Sequence, residues 1–320
     1  MKRIARTLLA AALALCLAAH AQDYPSKPVK VIVPTPPGGG PDVLARVVAD
    51  KLWEKWGQAV IVENRAGAAG NIGMEAASKA APDGYTLVFT PQPALVINKS
   101  LYAKLNHDPD AFEPISVVTA VPMVLVVHPK VAVQTVQQLI AYAKANPDRL
   151  NYASGGSGST PHLAGEFFKS TTGVRIVHVP YKGNAPAVGD LLGGQVDMMM
   201  LDLGSVLQHA RAGRLRALAV LTEKRNPALP DVPAMSELLP GFVVSPWWGM
   251  VAPPKTPAAI TEKVSAAVAE VLKQPDVAKR LTEMGNLDAV GSTPAEMARF
   301  LKIERERWGS LIRAIGARAD

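Results

Sequence analysis

The stretch Pro34–Asp42, PTPPGGGPD, joins a short β-branched run, Val29–Val33, to a helix-patterned segment that begins near Asp42. A strand, a glycine turn and a helix start in that order gather several unpaired backbone N–H groups at one tip. The helix macrodipole makes such a tip attractive to an anion. Gly38, Gly39 and Gly40 carry no Cβ, so the backbone itself can approach a ligand closely. Pro41 suits the first helical position, where its missing N–H costs nothing. The tip is therefore expected to hold one end of a small carboxylate.

Composition narrows the classes around this stretch. The chain has 320 residues, 48% hydrophobic and 19% charged, which suits a globular protein of about two domains. Lys2, Arg3 and Arg6 precede an apolar run, Leu8–Ala19, and Ala19-His20-Ala21 forms a small-x-small cleavage pattern. Residues 1–21 are thus expected to be an export signal, with the mature chain starting at Gln22. The apolar run has 12 residues, and a bilayer span needs about 20. Cys16 is the only cysteine and lies in that run, so the mature chain has neither disulfide nor thiol chemistry. Of the formal charge of +7, the leader carries +3. The remaining basic residues are scattered, and a nucleic-acid footprint needs them clustered with stacking aromatics.

Along the chain, strand-like and helix-like segments alternate. Strands are expected at Val29–Val33, Ala59–Glu63 and Tyr85–Thr90, with helices at Val43–Trp56 and Met74–Ala80. Val43, Val47, Leu52 and Trp56 fall near one helix face, and Gly57 is the stop signal. A long β-branched run, Val117–His128, is broken by Pro122. A second block follows, with strands near Leu150–Ala153, Val174–Val179, Val196–Leu201 and Leu215–Thr222, and helices between them. Phe242–Ala252 is again strand-like, and helices at Pro257–Lys273 and Pro294–Arg318 close the chain. This alternation argues for α/β units with largely parallel sheets. The long segments near Pro122 and Ser245 read as crossovers between two blocks. That gives one lobe of residues 22–122 plus 246–320, a second of 123–245, and a cleft between them.

The second block carries its own glycine turn, Ser154–His162, SGGSGSTPH. It too runs from a strand into a helix, with Pro161 suited to the first turn and Ser159 or Thr160 to the N-cap. Two neutral, donor-rich helix starts facing one cleft suit an acid with a carboxylate at each end. Either turn taken alone is an ordinary capping turn; their corresponding places in two blocks are what point to a ligand.

The motifs YPSKPVKVIVP (24–34), PPGGGPDVLAR (36–46), VENRAGAAGNIG (62–73) and APDGYTL (81–87) recur in order in a known family. So do LNYASGGSGSTPHLAGEFFK (150–169), VHVPYKG (177–183), LLGGQVD (191–197) and ALPDVPAMSE (228–237). Through them the chain resembles the periplasmic solute-binding proteins of tripartite tricarboxylate transporters, the Bug family, over nearly all its mature length. The resemblance implies an α/β, two-lobed periplasmic-binding-protein fold (type II-like). It also implies a monomeric receptor that hands organic acids to a membrane permease and has no enzymatic activity, cofactor or metal. By it, ligand contacts fall on Thr35, Pro36, Gly38 and Gly39 in the first lobe, and on Ser154, Ser159, Thr160, His162 and Asp202 in the second. Asp42 reads as a helix-start cap. Asp202 either receives an amino or hydroxyl group or caps the following helix, and His162 either donates to the ligand or packs. Lys182 is a candidate counter-ion or a solvated turn residue.

The sequence departs from the family pattern at three places. Thr35 stands where a bulkier residue is common. In Pro91–Asn98, PQPALVIN, Ala94 and Leu95 replace polar groups and leave Gln92 as the polar candidate. Trp247-Trp248 replaces Trp-Phe, which makes Trp248 a ligand contact or a core residue. These changes favour a less polar acid, aromatic or dicarboxylic, over citrate. Two other classes are compatible with a bilobed chain: a partner of a periplasmic signalling domain, and a hydrolase. For the hydrolase, the turn at Ser157 reads GGSGS rather than G-x-S-x-G, and the six histidines show no H-x-x-x-H spacing. Met198-Met199-Met200 reads as a buried strand.

Overall fold

The computed structural model describes residues 24–285, 287–316 and 318. The export signal expected over residues 1–21, its cleavage before Gln22 and Cys16 lie outside these residues. The first part of the chain comprises β1 (Val29–Val33), α1 (Gly40–Trp56), β2 (Val60–Asn64), α2 (Asn71–Ser78) and β3 (Thr86–Pro91). Two single-turn helices, α3 (Pro93–Val96) and α4 (Asn98–Leu101), lead to β4 (Glu113–Ala120). Then follow β5 (Met123–Val127), α5 (Val136–Ala145), β6 (Asn151–Ser154), α6 (Thr160–Thr172) and β7 (Val177–Pro180). The chain continues through α7 (Asn184–Leu192), β8 (Met198–Asp202), α8 (Leu203–Arg211), β9 (Arg216–Val220) and α9 (Met235–Leu238). It closes with β10 (Trp247–Ala252), α10 (Ala258–Leu272), α11 (Pro275–Glu283), β11 (Asp288–Ala289) and α12 (Pro294–Ile315).

The strands form two sheets with one shared plan. The first has the order β11-β4-β10-β3-β1-β2, the second β7-β6-β8-β5-β9. In the first, β1 lies parallel to both β2 and β3, while β10 is inserted antiparallel between β3 and β4. In the second, β6 lies parallel to β7 and β8, while β5 is inserted antiparallel between β8 and β9. Each sheet thus receives one antiparallel strand directly after a crossover. The crossovers run side by side, with the Val121 N–H donating to the Pro246 carbonyl at 2.6 Å.

Burial explains the near-continuous apolar runs. Val29, Val31, Ile32 and Val33 of β1 are buried, as is every residue of β5, because helices cover both sheet faces. Met198–Met200 are buried in β8, where unbranched thioethers fill the core. On α1 the buried stripe is Leu44, Ala45, Val48, Ala49 and Leu52. That is about one residue round from the expected face: Val43, Val47 and Trp56 are half-buried at its edge, and only Leu52 is shared. The Pro122 break separates β4 and β5 into different sheets, and the Phe242–Ala252 run is a strand only from Trp247 onward. The C-terminal helix α12 packs on the first sheet's side, where Arg305 donates to the Leu95 and Pro109 carbonyls and pairs with Asp110.

Candidate binding site

The two glycine turns share one local geometry. Gly38 and Gly158 both lie in the left-handed region, at φ 82° and 80°, which explains why glycine stands at each. The next residues, Gly39 and Ser159, are extended N-caps, and Pro41 and Pro161 occupy the first helical turn without an amide to waste. In each turn the glycine N–H donates to the side chain four residues on, Gly38 to Asp42 Oδ2 at 2.8 Å and Gly158 to His162 Nδ1 at 3.0 Å. Val43 and Leu163 make the first intrahelical bonds, to the Gly39 and Ser159 carbonyls. The amides before them have no acceptor inside the helix.

A cavity of about 300 Å³ lies between the sheets, and four helix starts border it. Gly40 opens α1 from the first sheet; Thr160 opens α6, Asn184 opens α7 and Gly204 lies in the first turn of α8 from the second. Trp248 from β10, Val121 and Pro246 from the crossovers, and Met284, Gly285 and Leu287 complete much of its wall. Gly40 is where the absence of a side chain matters most: a Cβ there would stand 2.6 Å from Trp248 Cη2. Opposite, Gly204 packs so closely on Gly285 that a Cβ would fall 2.7 Å from the Gly285 Cα. Among the described residues no lysine or arginine lines this cavity; its polar side chains are Thr160, Asn184 and Asp202.

A second pocket of about 320 Å³ opens at the ends of β1 and β3. Pro34, Thr35, Pro36, Thr90, Pro91 and Ala94 line it, with the turn 66–70 as its far wall. Its lining is mostly aliphatic, and Thr35 Oγ1 is buried there without a hydrogen-bond partner. A larger cavity of about 760 Å³ lies between residues 222–227, Ser245 and residues 288–292; its Arg225 and Glu296 are already committed to Glu237 and Thr293.

The expected contacts divide on these coordinates. Thr160, Asp202 and Trp248 line the interlobe cavity, and Thr35 and Pro36 the second pocket. Gly38 and Gly39 are exposed on the tip, and Gly40, one residue further on, is the one that meets the cavity. Gln92 requires correction. It is 1% exposed, and its Nε2 donates to Glu304 Oε2 at 3.3 Å. That carboxylate also accepts from the Trp247 and Trp308 indoles at 3.2 and 3.0 Å, so Gln92 faces a buried cluster and not the ligand. Ser154 requires the same correction. It is fully buried, with its Oγ accepting from the Gly156 N–H and lying 2.7 Å from His178 Nε2. Ser159 turns its hydroxyl back on the Gly156 carbonyl, closing the turn. Asn184, Met284, Gly285 and Leu287, which sequence reasoning passed over, complete the wall; Asn184 had a signal, since it follows a glycine turn at a helix start.

The brace behind each turn is chemically different. Asp42 is 3% exposed and accepts from Gly38, Asn64 and Arg46. Burial opposes its ionisation, but the Arg46, Gly38 and Asn64 hydrogen bonds outweigh it and hold the carboxyl below its ordinary range. It braces the tip as the third residue of the helix. His162 stacks on His178 with ring centroids 4.1 Å apart. Burial holds the imidazole of His162 below its ordinary pKa, and burial together with the neighbouring His162 pushes that of His178 down to about 4. Both rings are neutral at pH 7, and His162 packs and accepts. Asp202 caps α8 through the Ser205 N–H at 3.1 Å while also lining the cavity. The Ser154–His178 contact is too deeply buried for a nucleophile, and among the described residues no carboxylate orients that histidine.

Two sheets that share a five-strand order, the first with β11 added at its edge, are joined by paired crossovers around a cavity bordered by helix starts and define a two-lobed solute-binding receptor of the periplasmic-binding-protein class. Comparison with known proteins gives the same result at finer grain. The model of the tripartite tricarboxylate transporter family receptor matches residues 44–317, and the chain belongs to that family. It is 40% identical over 301 residues to protein BugT of Bordetella pertussis, covering 93% of this chain and 92% of that protein. Among solved structures, R. palustris Rpa4515 with adipate aligns at TM-score 0.75 and 36% identity, over 92% of this chain and 99% of that one. MatC from Rhodopseudomonas palustris with bound malate aligns at TM-score 0.71 and 32% identity, over 90% of this chain and 100% of that one.

Proposed function

We propose that this protein is a periplasmic receptor that closes on a small organic carboxylate and delivers it to the permease of a tripartite tricarboxylate-type transporter. The observation that carries the reading is the convergence of four helix starts, from both lobes, on one cavity with no lysine or arginine among its described lining residues. Fixed backbone donors and dipole ends hold an acid without the reorganisation a flexible lysine would need. Ordered water extends their reach where direct contact falls short. The lobes divide at residues 122/123 and 245/246, and the export signal over residues 1–21 takes the chain to the periplasm as a monomer. The ligand contacts are the walls of the cavity and of the second pocket: Thr35, Pro36, Gly40, Thr160, Asn184, Asp202 and Trp248.

The aliphatic pocket beside Thr35 and the indole of Trp248 favour an acid with an apolar body, aromatic or dicarboxylic, over citrate. Relatives solved with adipate and malate support a carboxylate ligand of this size. Calorimetry of the mature chain with adipate, malate, terephthalate and citrate tests the reading. Binding of at least one acid, with citrate the weakest, is the expected result. Failure of every acid, in titration and in thermal-shift measurements alike, overturns it. Loss of acid uptake on gene deletion, with transcriptional induction intact, separates delivery from signalling.

A further inference from the structure

The crossovers have a cavity on either side. Val121 and Pro246 line the interlobe cavity in front, whereas their neighbours Ala120 and Ser245 line the larger cavity behind. The same alternation holds for Trp248 and Trp247 on β10, and for Leu287 and Asp288. Extended chain turns successive side chains to opposite faces, so the two cavities lie back to back across one thin ribbon. In front, elements of the two sheets touch. A Cβ on Gly204 would fall 2.7 Å from the Gly285 Cα, and one on Gly158 would lie 3.4 Å from Leu101 Cδ2. Behind, residues 222–227 and 288–292 stand apart around about 760 Å³. Both rear walls are stiff. Thr222 and Ser236 donate to the Lys224 and Glu223 carbonyls, and Trp247 packs edge-on against Phe300 with its indole N–H on the buried Glu304. Arg225, Asn226, Ser292 and Glu296 are already bonded to neighbouring protein groups. Little chemistry remains there to select a solute; what the cavity has is a shape that depends on the angle between the lobes.

We propose that this rear cavity sets the balance between the open and closed receptor. Rotation about the crossovers that parts Gly204 from Gly285 in front must bring residues 222–227 toward 288–292 behind. A body held between the rear walls therefore blocks opening and tightens acid binding without touching the acid. The acid comes from the carboxylate-receptor reading; the coupled motion follows from the two cavities alone. A receptor that is closed for only a fraction of the time binds more weakly by that fraction, and a filled rear cavity removes the deficit. By linkage the effect is reciprocal: a bound acid holds the rear cavity open, which marks the loaded state on a face remote from the ligand.

The test fills the rear cavity from opposite walls of the mature chain, with Val290→Trp on one side and Lys224→Trp on the other. Both positions line the cavity and are exposed, so neither change disturbs a packed core. Ile303→Trp, at an exposed position of α12 that does not line it, is the control. Calorimetry with the tightest-binding acid is expected to give affinities roughly fivefold or more above wild type for each filled variant, and an unchanged value for the control. Small-angle scattering without acid is expected to show both filled variants more compact than wild type. Affinity unchanged or weakened in both, with thermal unfolding like that of the wild type, overturns the proposal. If one variant fails to fold, the other wall decides. If no acid binds the wild type, the carboxylate-receptor reading falls by itself, and scattering still decides this proposal: filled variants no more compact than wild type overturn it.

Discussion

Gly38–Asp42 and Gly158–His162 are two copies of one turn, held by opposite chemistry. Each has a left-handed glycine, an extended N-cap, a proline in the first turn and a side-chain acceptor four residues on. In the first lobe that acceptor is a carboxylate with three donors around it, one of them the Arg46 guanidinium. In the second it is a neutral imidazole stacked on a second imidazole. Backbone presentation of helix amides therefore depends on an acceptor at this position and not on its charge. The first turn is bound to its own lobe by a charged network; the second rests on aromatic packing and a hydrogen bond.

The largest expected consequence lies in the first turn. Asp42→Ala leaves the Gly38 amide and the Asn64 side chain without their acceptor, at a cost of about 2–3 kcal/mol in unfolding free energy. His162→Ala, its counterpart, loses a neutral hydrogen bond and a stacked ring, about 1–2 kcal/mol. Denaturant unfolding of both variants checks the order. Equal losses would show that the charge on Asp42 adds nothing to the brace.

Next comes the residue facing the cavity. Thr160 carries a side chain into it, whereas Gly40 has no room for one against Trp248. Gly40→Val is expected to cost about 1–3 kcal/mol by overpacking and to lower acid affinity at least tenfold. Thr160→Val keeps the shape and removes one hydroxyl, so its loss of affinity is smaller. Titration of both variants with the same acid decides whether the two turns are equally tight around the ligand.

The braces also separate on a pH axis. Asp42 titrates below the ordinary carboxylate range, so the stability it gives is complete at neutral pH and is lost only in strong acid. The depressed imidazoles behave otherwise. Their contribution is complete above about pH 6.5, the unfolded value, and is lost as pH falls toward the value of about 4 reached by His178. Protonating His162 also converts the acceptor for the Gly158 amide into a donor. Melting temperature is expected to fall between pH 7 and pH 5, and His162→Gln/His178→Gln to flatten that fall. A slope unchanged by the double variant would place the titration elsewhere.

The contrast also shows what the sequence can and cannot disclose. Both turns were legible because their signals are local: glycine for positive φ, proline for the first helical turn, a β-branched run before and a helix period after. The alternation of elements likewise gave the α/β class, and Pro122 marked one crossover. What failed was non-local. Gln92 stands at the end of β3, where a side chain can face either the cleft or the core. The choice is made by Glu304, 212 residues away, which also takes both indole N–H groups. Ser154 lies in the right turn, but His178 on a neighbouring strand claims its hydroxyl. Gly40 was inside the glycine run, yet only the position of Trp248 on β10 singles it out from Gly38 and Gly39. Helix α11 has Pro275 as its one local start signal, and Met284, Gly285 and Leu287, which follow it into the cavity wall, carry no signal of their own.

The smallest effect separates backbone strain from lobe contact. Alanine at Gly38 or Gly158 must adopt a left-handed conformation, at about 1–2 kcal/mol each. Around Gly38 a Cβ meets nothing, so Gly38→Ala is expected to lose that stability and no more. A Cβ on Gly158 would instead lie 3.4 Å from Leu101 Cδ2, which belongs to α4 on the first sheet's side of the cleft. Gly158→Ala therefore sets a methyl at the near edge of van der Waals contact with a side chain that it meets only while the lobes are together. It should match Gly38→Ala in denaturant unfolding without ligand and exceed it, by a few-fold, in loss of acid affinity. Equal affinities in the two variants would mean that Leu101 yields and that this contact does not govern closure.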